Sequence, residues 1–417
     1  MSRRPLKSDP SDVRANNIRA AFSLVSREGK MTRAELGRRM GLSRMAVSDV
    51  VSQMVGNRLL RKVGLDRRTG RGKRSVMLAV DTDGWLVASV DLTQRYVLRA
   101  VLTDLLGHIV ERVEIPYECS GSLRFETVDA LCAKVLGQAD RPVLGLGVAV
   151  PGVVNPEGTV IRSVALGWSD VALRAHLEQA HHLPVLVCND VNMGLLGECT
   201  FGEGSADSLF VRIGQGVGAA VCVSGKIVDG SGYSAGEIGH VVVDPQGPEC
   251  VCGKHGCLET MVSVPRLRER LAAQTQTRET VLRQAGTMLG AALAMSIGLL
   301  DLADISVAGP ADIVGTAFLD GMRDELKAKT FVDYHCQPAV HRCEQGDDLV
   351  LRGQAVAVVC RLVDSVRDRD GNDDNHRGNA AADTLEGTLG ESERPHDSTD
   401  AVQPTKLMTK MEVAGSR

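Results

Sequence analysis

Three thiols, Cys250, Cys252 and Cys257, crowd into one short stretch, with Gly253 and Gly256 between them. Glycine accepts the positive φ of a tight knuckle, so the loop can fold three sulfurs onto one point. Two imidazoles are near in sequence: His240 ahead of the loop and His255 inside it. Three thiolates and one imidazole make the closed tetrahedral set of a structural zinc site. A Cys-X-Cys pair closes poorly on itself, and three is an odd number, so the pattern points to metal rather than to disulfides. Two acids, Glu237 and Glu259, flank the unit. Zinc fixes an imidazole through one nitrogen and leaves the other free. An acid three residues before such a ring can therefore share a small ligand with it. From spacing alone, two solvated surface glutamates fit equally well.

Further polar groups stand at the ends of apolar runs. Val185 to Cys188 leads into Asn189 and Asp190. Open α/β sheets place ligands at such strand ends, although an Asn-Asp pair is also ordinary turn chemistry. Gly214, Gly216 and Gly218 punctuate the run from Phe210 to Val221, a weak signal by itself.

Gly-Glu-Ile-Gly-His at 236–240, followed by Cys-Val-Cys-Gly-Lys-His-Gly-Cys-Leu-Glu at 250–259, resembles the signature of the ROK family. That family contains bacterial sugar kinases and sugar-responsive transcriptional repressors, and the resemblance runs from Asp81 to Val366. It implies an α/β fold with an actin-like, two-lobed sugar-kinase (ribonuclease H-like) body. It implies zinc on His240, Cys250, Cys252 and Cys257, and a sugar held by Gly152, Asn189, Asp190, Glu237, His240 and Glu259. In the family's kinases the residue matching Asp190 is the general base toward a sugar hydroxyl. Those kinases cradle ATP phosphates with Asp-X-Gly-Gly-Thr, which here reads Asp91-Leu-Thr-Gln-Arg95. The glycines are gone, and Gln94 and Arg95 stand in the phosphate's space. The adenine-side Gly-Gly is Gly309-Pro310. The sugar side survives and the nucleotide side does not, so the expectation is a sensor and no enzyme. The alternative is an active ATP-dependent sugar kinase with a DNA-binding head, for which Asp190 and the three glycines speak.

A chain of 417 residues with 43% apolar content has room for more than one domain and a substantial core. Its start lacks the apolar stretch of a secretion signal. The apolar run from Met288 to Leu300 is too short for a bilayer and reads as a buried helix. Eleven cysteines then fit reduced thiols and metal ligands in the cytoplasm. Net charge is −4 but uneven: residues 1–80 carry 19 Lys/Arg against 6 Asp/Glu, or +13, which leaves −17 for the rest. A basic head on an acidic body is the layout of a nucleic-acid-binding module joined to something else.

The head also carries a fold signal. Ile18, Ala21, Phe22, Leu24 and Val25 have helical spacing. Thr32 with Glu35 predicts a capping box, Gly41 a break, and Ser43 the cap of a second helix with Val47, Val50, Val51 and Met54 inside. That is a helix-turn-helix, with Arg44, Met45, Ser48 and Asp49 left outward toward a major groove. Leu60 and Val63, then Val76, Leu78 and Val80, predict a hairpin whose tip carries Arg71 and Lys73, a wing. His240 is followed by Val241–Val243, which reads as a strand. Past Arg367 the composition cannot bury a core and predicts disorder. The expected organisation is a winged helix-turn-helix over 1–80, a sugar-binding body over 81–366 with its zinc unit at 236–259, and a tail over 367–417. The expected partners are operator DNA, a small sugar effector and a second copy of the chain, as a dimer or a dimer of dimers, and no membrane.

Overall fold

The computed structural model describes residues 10–65, 75–94, 96–117, 122–330, 337–363 and 365–366. Helix α1 (Pro10–Glu28) buries Ile18, Ala21, Phe22 and Val25. It is followed by β1 (Met31–Thr32), α2 (Arg33–Met40) and α3 (Arg44–Gly56). Both short helices start on hydroxyl caps: Thr32 Oγ1 accepts from the Glu35 amide and Ser43 Oγ from the Ala46 amide, each at 3.2 Å. Such caps are worth about 1 kcal/mol each. Gly41 ends α2 at φ 65°, where a side chain would be strained. Val47, Val50, Val51 and Met54 of α3 turn inward, as the spacing predicts. β2 (Leu60–Leu65) and β3 (Val76–Val80) pair antiparallel and form a three-stranded sheet in the order β1-β3-β2. The hairpin tip with Arg71 and Lys73 lies outside the described residues, as do Arg95 and the tail beyond Val366.

The body repeats one topology twice. β4 (Leu86–Asp91), β5 (Val97–Thr103) and β6 (Ile109–Pro116) form an antiparallel meander. α4 (Phe125–Leu136) leads to β7 (Val143–Val150), which pairs parallel with β4. A small sheet of β8 (Val153–Val154), β9 (Val160–Ser163) and β10 (Trp168–Val171) follows. Then α5 (Leu173–His181) leads to β11 (Val185–Asn189), parallel to β7. The sheet runs β11-β7-β4-β5-β6. After α6 (Asp190–Phe201) the second sheet begins with β12 (Ser208–Ile213), β13 (Val217–Val223) and β14 (Lys226–Ile227), again antiparallel. α7 (Leu258–Val262), α8 (Val264–Ala272) and α9 (Arg278–Leu300) precede β15 (Asp304–Ala308). α10 (Thr316–Thr330), β16 (Ala339–Arg342) and α11 (Leu349–Leu362) complete the chain, with β15 and β16 parallel to β12. The order β14-β13-β12-β15-β16 matches that of the first sheet. β7 is apolar along its length and buried on both faces, as a parallel central strand should be.

α11 joins the parts. Val358, Val359 and Val363 lie in one core with Phe22, Val51, Met54 and Leu60 of the head. Asn57 donates to the Val366 carbonyl at 2.5 Å and accepts at its own carbonyl from Trp85 Nε1 at 2.8 Å. On its other side α11 meets α6 closely: a Cβ on Gly353 would stand 1.9 Å from the Met193 carbonyl.

Two expectations change. Val241–Val243 is not a strand. Its amides and carbonyls serve the thiol loop instead: Val243 and Asp244 donate to Gly256 O, and Leu258 donates to Val241 O. The run packs against a knuckle, not a sheet, and Val241 and Val242 stay 47% and 40% exposed. Second, α9 is buried on one side only. Leu289, Leu293 and Ile297 are fully buried, while Met295 and Leu299 are 83% and 79% exposed. Packing against α10 accounts for the covered face.

Candidate functional site

The thiol loop converges as its spacing predicts. The ligand atoms of His240, Cys250, Cys252 and Cys257 all lie within 4.8 Å of one another. Cys252 Sγ is 3.6 Å from Cys257 Sγ, and Cys250 Sγ is 3.5 Å from His240 Nδ1. A tetrahedral ion with bonds of ~2.3 Å to sulfur needs sulfurs about 3.8 Å apart, so the residues present fit a tetrahedral metal. His255 is exposed and outside this group; its backbone bridges to Glu249 at the loop's rim. Gly256 allows the fold: at φ 67° any Cβ would fall 1.5 Å from the Asp244 carbonyl. Burial pushes the Cys250 thiol up to about 12 and raises that of Cys257, while the Lys254 amide draws Cys252 down. Buried thiols of this kind ionise when a cation takes their charge.

Glu259 opens α7 and touches this group. Its Oε1 lies 3.1 Å from Cys250 Sγ and 3.4 Å from His240 Nδ1. Its Oε2 faces the glycine loop between β12 and β13, 3.1 Å from where a Gly216 Cβ would be. Glu237 stands beside them, open to solvent yet crowded enough that desolvation raises its carboxyl, with His240 opposing and Glu259 adding to the rise.

The glycine loop also reaches the end of the first sheet. A Cβ on Gly218 would stand 3.0 Å from Val191 Cγ2, next to Asp190. Asn189 ends β11 and caps α6, its Oδ1 accepting from the Val191 and Asn192 amides at 2.8 and 3.0 Å. Its amide nitrogen donates to the Gly152 carbonyl at 2.9 Å. Asn189 thus binds the turn at Gly152 to the start of α6, and its polar atoms are engaged within the chain. Gly152 sits at φ 129°, where a Cβ would strike the Arg162 carbonyl at 2.3 Å.

Asp190 has a partner that sequence reasoning missed. Arg212 Nη1 on β12 donates to Asp190 Oδ2 at 2.6 Å, and Nη2 donates to Thr93 Oγ1 at 3.0 Å. One guanidinium so bridges the two sheets. Burial raises the Asp190 carboxyl to about 6, against the pull of Arg212 and with the push of Asp91. The available signal was a lone charge in the buried strand Phe210-Val-Arg-Ile.

In the head, Arg44, Met45 and Asp49 are exposed on α3, with Met45 at 78%. Ser48 is half-buried and its hydroxyl accepts from Arg33 Nη1 at 3.2 Å, so it is tied back to α2. No described helix is long and apolar enough to cross a membrane. A surface hollow of about 400 Å³ beside Glu279, Arg283 and Met288 of α9 contains none of these groups.

Comparison with known proteins agrees with the geometry. Residues 88–358 match the model of the ROK family. A xylose repressor of Caldicellulosiruptor bescii is 26% identical over 374 residues, covering 80% of this chain and 92% of that protein. A glucokinase of Halalkalibacterium halodurans is 37% identical over 191 residues, covering 44% of this chain and 57% of its own. Among solved structures, a ROK family transcriptional regulator described as a homologue of the E. coli Mlc protein superposes with a TM-score of 0.73 at 23% identity, over 85% of this chain and 98% of that one. The body therefore has the two-lobed fold shared by that regulator and the family's sugar kinases.

Proposed function

Because the chain belongs to the ROK family, we propose that it is a DNA-binding transcriptional regulator, acting as a repressor of carbohydrate-metabolism genes under the control of a bound sugar. The observation that carries this reading is an exposed recognition helix sharing its core with α11, while α11 packs on α6 behind Asp190. The head, residues 1–80, holds operator DNA through Arg44, Met45 and Asp49 of α3, with Ser48 serving by its bond to Arg33, and through Arg71 and Lys73 of the wing. The body, 81–366, holds the sugar at the meeting of its two sheets, between Gly152, Asn189 and Asp190 on one side and Glu237, His240 and Glu259 on the other. Asn189 serves there by fixing the Gly152 turn and the α6 terminus, since its own polar atoms are engaged.

A structural zinc ion on His240, Cys250, Cys252 and Cys257 would hold the knuckle that orients Glu259. It supplies charge and geometry to the loop and no reaction step. A sugar drawn between the two sheets would shift α6 and, through the shared core, the head. Two heads in a dimer, or a dimer of dimers, would then lose or gain their fit to paired half-sites. Sugar sensing over cytoplasmic DNA needs no phosphoryl transfer.

The second reading is an active sugar kinase. Asp190, the glycines at 214, 216 and 218, and the local likeness to a glucokinase favour it. Against it stand residues 91–95, without phosphate-cradling glycines, and the bond between Asp190 and Arg212. An assay with ATP, magnesium and a panel of pentoses and hexoses separates the two. No sugar phosphate should form. Turnover that vanishes in Asp190→Asn would establish the kinase and remove the present assignment.

A further inference from the structure

Two carboxylates are buried where the sheets meet, Asp91 at the end of β4 and Asp190 at the start of α6, 0% and 6% exposed. Asp91 Oδ1 accepts from the Thr93 amide at 2.9 Å. Its Oδ2 is buried with no hydrogen-bond partner among the described residues. The charged groups that face Asp190 are Arg212 from β12 and Asp91 from β4. Arg212 is itself held at both ends, by Asp190 at 2.6 Å and by Thr93 Oγ1 at 3.0 Å. A forked guanidinium fixed in this way has one orientation, and so has the carboxylate bound to it.

We propose that Arg212 is the resident cation of the ligand site, a positioning residue that keeps the Asp190 carboxylate ionised and fixed, so that it accepts hydrogen bonds from sugar hydroxyls without taking their protons. Burial, and then the neighbouring Asp91, favour a proton on Asp190 unless a cation stands against them. Arg212 supplies that cation from within the chain, so Asp190 has its counter-charge before any ligand arrives. With Oδ2 bound to Arg212, the carboxylate keeps further acceptor lone pairs for a hydroxyl. Burial raises the proton affinity of Asp190 and Arg212 pulls against that rise, so the contact that suits binding works against general-base action. This deepens the sensing assignment, and it rests on that assignment for the identity of the ligand.

The test needs neither sugar nor operator, so it can fail or succeed independently of that assignment. Thermal unfolding of the full chain is compared near pH 5.5 and near pH 8 for wild type, Arg212→Leu, Arg212→Lys, Asp190→Asn and the Arg212→Leu/Asp190→Asn pair. The folded-state pKa of Asp190 lies above its ordinary value, so this group's contribution to stability falls as pH rises through that window. Without Arg212 the window extends upward. Arg212→Leu should therefore lower Tm by roughly twice as much near pH 8 as near pH 5.5. Adding Asp190→Asn should recover most of the loss at the higher pH, and Arg212→Lys should recover part. If Arg212→Leu does not fold, the pair still should, and its folding supports the inference. A loss equal at both pH values that Asp190→Asn does not relieve would show that Arg212 merely packs, and would overturn it.

Discussion

Replacing Glu237 with glutamine removes one charge from the proposed sugar site while the four proposed metal ligands stay in place. Glu259 is the less suitable position, because its Oε1 lies 3.1 Å from Cys250 Sγ and its loss disturbs the knuckle as well. A charged hydrogen bond to a ligand is worth about 1.5–3 kcal/mol, or on the order of ten- to a hundred-fold in affinity. Glu237→Gln should weaken sugar binding by that factor in calorimetry and leave sugar-free DNA binding unchanged; equal sugar affinity would place the ligand elsewhere. At this scale the sequence was informative where chemistry is local. The thiols and His240 are close in the chain, and the choice of His240 over His255 came with the family resemblance and agrees with the geometry. Arg212 was not legible, since its partners Asp190 and Thr93 lie 22 and 119 residues away. Only the folded arrangement brings a β12 side chain to them.

The thiol loop has little regular structure of its own. Among its backbone bonds are Cys250 to the Lys254 carbonyl and Gly256 to the Pro248 carbonyl, with no regular helix or sheet between His240 and Leu258. Metal binding there would be folding energy. Cys252→Ser should lose the roughly one zinc per chain expected by elemental analysis, lower Tm, and speed proteolysis within 241–257. A wild-type protein free of zinc when purified without chelator would remove the metal assignment. Most helices and strands were legible because caps and periodicity are local signals: Thr32, Gly41 and Ser43 act where their residue types predict. Val241–Val243 misled because an apolar β-branched triplet has the same composition in a strand and in a run packed on the thiol loop. α9 misled because hydropathy reports composition and not which face is covered.

Across the whole molecule, charge and shared core suggest how the parts cooperate. The head's +13 must neutralise several phosphates, so DNA affinity should fall steeply with salt. The repeated sheet order of the body was invisible in the chain, because the two halves share topology without sharing a readable sequence repeat. The joint core of head and α11 was equally hidden, being built from residues about 300 positions apart. That core is the reason to expect communication, since α11 touches both the head and the helix that begins at Asp190. The most direct measurement is fluorescence anisotropy with a DNA site selected by the protein from a random pool, titrated with each sugar that raises Tm, D-xylose and D-glucose among those tried, and with Arg44→Ala as the reference for lost base contacts. A sugar-responsive regulator should show at least one sugar changing DNA affinity by on the order of ten-fold, within the usual range of allosteric coupling, and Arg44→Ala binding the selected site more weakly. An affinity that no sugar alters, with Arg44→Ala binding as tightly as wild type, would contradict the assignment of this chain as a sugar-controlled repressor.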